Sequence, residues 1–161
     1  MIRAALVAGT TLVMAGCLAG PVPVAGAPEP ILSRQDGERL MLQADSALAT
    51  AYRDARPDGL SPLFGDAALG FEQRRVDERG RRGDSRQERD VKRRLVQWNA
   101  GTEGGEGVLE LSGQVRLVSP ERPDPPWTGF VRQWRARLEW VAGDWKVVDE
   151  QYLSPAAGWP P

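Results

Sequence analysis

The chain has 161 residues, 21 basic against 22 acidic side chains, a net charge of −1 and no histidine. That balance argues against nucleic acid or an anionic membrane surface as an electrostatic partner. Without imidazole there is no Ser-His-Asp or Cys-His nucleophile, no histidine-based metal site and no base titrating near neutrality, and no cofactor is expected. A single cysteine, Cys17, excludes an internal disulfide, so stability must come from the core. All six tryptophans lie at position 98 or later, which puts most of the large apolar surface in the second half.

The N-terminus carries the sharpest motif. Arg3 gives a charged start, residues 4–15 form an uncharged apolar run, and Met14-Ala15-Gly16 lead into Cys17. A run of about 12 apolar residues is too short for a ~30 Å bilayer core and suits a signal peptide. Small residues directly before a cysteine resemble the lipobox of bacterial lipoproteins, with Met14 where that family usually has leucine. The resemblance implies cleavage after Gly16 and diacylation of the Cys17 sulfur with palmitate-type chains. It also implies a lipid anchor on the outer face of the bacterial cell membrane or the periplasmic side of the envelope. Ala25-Gly26-Ala27 has the pattern of ordinary signal-peptide cleavage, but it lies well beyond the apolar run and after Pro21 and Pro23. The expected organisation is a leader at 1–16, a proline-rich tether at 17–30, one domain at 31–153 and a C-terminal tail at 154–161.

Ser33 is positioned to cap a first helix over 33–55, with Leu40, Ala44, Ala47, Leu48, Ala51 and Tyr52 on its apolar face and Asp45 on another. Pro57 ends it. Ser61-Pro62 predicts a short helix through Phe64, and Asp66 a third helix with Ala68, Leu69, Glu72 and Val76 as a partial stripe. The charge-rich stretch 74–94 reads as a solvated loop near 80–87, with strand character from Val91 to Trp98. Leu109 to Leu117 and Phe130 to Trp140 alternate cleanly as half-buried strands. Ala142-Gly143-Asp144 then turns the chain into a last strand, Trp145 to Leu153.

Helices followed by antiparallel strands define an α+β fold: two or three N-terminal helices packed in a curved four-stranded antiparallel sheet. This order, with Trp145-Lys146-Val147-Val148-Asp149 as the closing strand, resembles the NTF2-like (cystatin-like cone) superfamily. The resemblance implies a sheet wrapped around the first helix and a conical pocket. Ketosteroid-isomerase-like members place a tyrosine of the first helix and acids from elsewhere in that pocket. Tyr52 and Asp149 are the matching candidates, against the simpler reading that Tyr52 completes an apolar face and Asp149 is solvated.

Arg132 interrupts the apolar alternation between Phe130 and Trp134, and either reaches a carboxylate in the pocket or snorkels to water. Trp98, Trp134, Trp140 and Trp145 either line a ligand cavity or pack the core. No catalytic residue can be assigned. The expected function is a non-catalytic binding or scaffold module for an envelope partner or a small apolar ligand. The alternative is an isomerase- or cyclase-type enzyme acting on a hydrophobic carbonyl compound. Parity in the last strand argues against that alternative: Trp145, Val147 and Asp149 share one face, while Val148 and Tyr152 make the other apolar too.

Overall fold

A computed structural model of the protein describes residues 31–153. The leader, Cys17, the tether and the tail lie outside the described residues. Two helices precede four strands: α1 (Arg34–Asp54), α2 (Asp66–Arg82), β1 (Ser85–Ala100), β2 (Gly104–Val118), β3 (Thr128–Val141) and β4 (Asp144–Tyr152). The strands form one antiparallel sheet in the order β1-β2-β3-β4. Both helices pack on one face, α1 mainly across β1 and β2 and α2 against β4.

Local chemistry accounts for both helices. The Ser33 hydroxyl accepts from the Asp36 amide at 3.1 Å and donates to the Asp36 carboxylate at 2.7 Å, so the two residues close the α1 N-terminus. Ala55, left-handed at φ 52°, stops α1 two residues before Pro57. The buried face is Gly37, Met41, Ala44, Asp45, Leu48, Ala51 and Tyr52. The helix is thus rotated relative to the expected stripe, and Asp45 faces the core rather than water.

The short helix expected from Ser61 to Phe64 does not form. Residues 58–63 turn instead, and Leu60 and Phe64 bury their side chains. The adjoining backbone meets the edge of β4: Gly65 N–H donates to Val147 O at 2.8 Å, and Val147 N–H to Leu63 O at 2.9 Å. A sheet pairing outweighs the local helix signal because it satisfies backbone groups on both segments.

The charge-rich stretch is also ordered. α2 runs through it to Gly83, which adopts φ 72° and caps the last carbonyls. Ala68, Glu72 and Val76 form its buried row, and Arg79, Arg81 and Arg82 complement the helix dipole at its end. β1 then starts at Ser85, earlier than its apolar pattern suggests, because its first inward positions are the charged Arg86 and Glu88.

Three bulges set which side chains face the helices. Between Arg89 and Lys92, β1 carries an extra residue, with Asp90 at φ 54°, and a second extra residue falls between Leu95 and Gln97. Each extra residue inverts the inward parity. Arg86 and Glu88, then Arg93 and Leu95, then Trp98 therefore all point to the same face. In β4 the pairs Leu138↔Val147 and Arg137↔Asp149 leave Val148 as the extra residue. Val147, Glu150 and Tyr152 then share the inner face, and Asp149 is exposed. Of the two readings of Asp149 the structure gives the solvated one, and its candidacy for the pocket is corrected: unbroken alternation points to Asp149, and a single bulge substitutes Glu150.

Candidate functional site

The space between helices and sheet divides along the strands. Toward the two hairpin tips it is apolar: Met41, Leu109, Ala136, Leu138 and Val147 are buried. Trp98, half-buried, lies flat across three glycines. A Cβ at Gly37, Gly105 or Gly107 would come within 2.1, 2.4 or 3.0 Å of its ring. Trp140 meets Trp145 edge to face at 5.4 Å. These contacts make Trp98 and Trp140 part of the packing at that end, away from the polar groups below.

The other end holds a continuous polar seam. Asp45 and Arg132 are each about 1% exposed and joined at 3.0 Å. The second oxygen of Asp45 takes Arg93 Nε at 2.6 Å. Arg132 also reaches Glu88 at 3.3 Å, and Arg86 sits 3.1 Å from the same Glu88 oxygen. Of the two courses open to Arg132, the structure shows the first: it is buried between two carboxylates rather than snorkelling to water, because isolated burial of a guanidinium would be prohibitive.

Beside this lies a second cluster. Tyr52 O–H donates to Glu72 Oε2 at 2.5 Å, and Arg75 donates to Glu72 Oε1 at 2.8 Å. Trp134, wholly buried, donates its indole N–H to Glu150 Oε2 at 2.7 Å. The two clusters are joined by rings: Arg86 stacks over Tyr52 at 4.3 Å, and Arg132 over Tyr152 at 5.6 Å.

Burial and neighbouring charge shape the protonation of these groups. Burial raises the Tyr52 phenol far above its ordinary value, and the Glu72 charge raises it further. Burial likewise raises Tyr152. Arg86 is lowered by burial, partly offset by Glu88. Burial and the facing Glu72 push the Glu150 carboxyl up to about 8, against the opposing pull of the Trp134 hydrogen bond and Arg75. At neutral pH the seam therefore holds two neutral phenols and a protonated glutamic acid.

Of the residues singled out by sequence, the fold brings Tyr52, Arg132 and Trp134 together and leaves Trp98, Trp140 and Asp149 elsewhere. The missed members are Asp45, Glu72, Arg75, Arg86, Glu88, Glu150 and Tyr152. For two of them a signal was present. Glu72 stands in the apolar row 68–72–76, and Asp45 completes the helical row 41–45–48–52. Among the described residues, no three acidic, histidine or cysteine side chains converge to hold a metal.

The fold and seam define an α+β domain with a polar interior. No protein family matches the sequence, and no curated protein matches it. Among solved structures, the chain is similar to the intermembrane space region of chloroplast protein ARC6, with a TM-score of 0.70 and 15% identity over 78% of this chain and 100% of that one. At that identity the likeness is one of fold. A designed β-sheet protein solved by NMR aligns with a TM-score of 0.41 and 13% identity, over 75% of this chain and 92% of that one.

Proposed function

We propose that this protein is an exported lipoprotein, anchored through Cys17 and held off the membrane by residues 17–30. Its folded unit, read as an NTF2-like cone, acts as a non-catalytic binding or scaffold module for an envelope protein or a small apolar ligand. The observation that supports a non-catalytic module is the interior itself. Tyr52, Glu72, Arg132 and Trp134 are each at most 1% exposed, and each is hydrogen-bonded to another side chain of this region. A substrate would have to displace several buried charge-assisted bonds to enter. Recognition is more cheaply done on the outside of the domain.

Labelling with a clickable fatty acid tests the anchor: the wild-type chain should take the label and Cys17→Ser should not. Recovery of an unlabelled chain starting near Ala27 would overturn it. Affinity capture of the anchored protein, followed by native mass spectrometry, should then find a stoichiometric protein or apolar ligand. Finding neither would remove the support for a binding module.

One feature favours the isomerase- or cyclase-type reading. A tyrosine and a carboxylic acid kept protonated at neutral pH are the donors that polarise a carbonyl in such sites. Here Glu150 rather than Asp149 would be the acid. Turnover of a small hydrophobic ketone, abolished by Tyr52→Phe, would establish it. The Tyr52 proton is already committed to Glu72, which is why the binding reading stands first.

A further inference from the structure

Hydrogen-bond accounting around Glu72 and Glu150 leads to a device that neither functional reading includes. Glu72, on α2, has both carboxylate oxygens occupied, one by Tyr52 of α1 and one by Arg75. Glu150, on β4, has one oxygen occupied by Trp134 of β3. Its other oxygen, Oε1, is buried and meets no donor from any protein group. The neighbouring acid is Glu72, whose carboxylate lies within side-chain hydrogen-bonding reach of the Glu150 carboxyl. Two ionised carboxylates cannot face each other at a buried position with one oxygen bare. A proton on Glu150 resolves both problems, because the carboxyl O–H then donates to Glu72.

We propose that Glu72 and Glu150 share one proton and form a latch between α2 and β4 that opens when the proton is lost.

Every element packed around the pair contributes a polar or charged group. α1 contributes Tyr52, whose neutral phenol donates to Glu72. α2 contributes Arg75 and, over the Tyr52 ring at 5.5 Å, Arg79. β1 contributes Arg86 and Glu88, and β3 contributes Arg132, which is held by Asp45 and Glu88. β4 adds Tyr152. The cation best placed to neutralise an ionised Glu150 is Arg75, but it is already bonded to Glu72 and partly solvated. α2 leans on the sheet chiefly through β4, so repulsion at this point acts on the main attachment of that helix.

The sign follows from linkage. In the unfolded chain Glu150 loses its proton near 4.5, whereas in the folded protein it keeps it to about 8. Between those values the folded state binds the extra proton, so stability falls as pH rises through the window and levels off above it.

The test uses the full chain. Infrared spectra at neutral pH should show the carbonyl band of a protonated carboxylic acid, lost in Glu150→Gln and lost in the parent above about pH 9. The melting temperature of the parent should fall from about pH 5 to pH 8, and that of Glu150→Gln should stay nearly flat, since the amide donates to Glu72 without titrating. Amide exchange, corrected for base catalysis, should rise across 66–82 more than across α1 when the pH is raised. A parent with no protonated-acid band at neutral pH would overturn the shared proton, and this result needs no variant to fold. An unchanged pH slope in Glu150→Gln would overturn the assignment to this pair. Uniform exchange in both helices would overturn the latch.

Discussion

The two ends of the inner space use opposite chemistry for the same task. Near the hairpin tips, Trp98 lies on glycines 37, 105 and 107, and surface contact alone holds α1 to the sheet. At the other end, Asp45 bonds α1 to Arg93 of β1 and Arg132 of β3, and Tyr52 bonds α1 to Glu72 of α2. The apolar end tolerates no extra volume, and the polar end tolerates no missing partner. Packing there is graded, whereas charge pairing is all-or-none, because a bare ion in the interior costs far more than a small cavity.

The largest effect should therefore come from the polar end. Asp45→Ala deprives Arg93 and Arg132 of their shared carboxylate, and chemical denaturation should show a loss of about 3–5 kcal/mol. A loss below about 1 kcal/mol would mean that water replaces Asp45 and that the seam is wetter than its burial implies. Leu48→Ala, on the same buried row but in purely apolar contact, should cost about 2–5 kcal/mol by the same measurement. Gly37→Ala probes the apolar end: the new methyl would sit 2.1 Å from the Trp98 ring, and a loss of about 1–3 kcal/mol with a shift of tryptophan fluorescence is expected. Trp134→Phe keeps most of the volume and removes one donor, at about 1–3 kcal/mol. It should also move the titration of Glu150 to higher pH in infrared spectra, since the indole N–H favours the ionised form. The outer face supplies the floor of the comparison. Arg94 pairs with the half-buried Glu110 at 2.8 Å but is itself 72% exposed, so Arg94→Ala should shift stability by less than about 1 kcal/mol.

The candidate site was only partly legible in the sequence. Tyr52 and Trp134 declare themselves, one at the end of an amphipathic helix and the other in a clean strand alternation. Arg86 and Glu88 do not, because charged residues in a charged segment read as solvated unless their partners are known. Asp45 reads as outward-facing because an acid in a helical row is ordinarily turned to water, and the guanidiniums that hold it inward come from β1 and β3.

The sequence by itself determined the α+β class, the order of the elements, the start and stop of α1 and the β3–β4 turn. Each of these is decided by side chains within a few residues: a cap, a proline, a two-residue alternation, or Ala142 and Gly143 at φ 52° and 93°. Tertiary structure alone decided that segment 63–65 joins β4, that Asp149 faces out while Glu150 faces in, and that Arg132 is buried. A bulge exists only relative to a partner strand, and a buried charge is stable only beside its counter-charge. The counter-charges of Arg132, Asp45 and Glu88, lie 87 and 44 residues away along the chain.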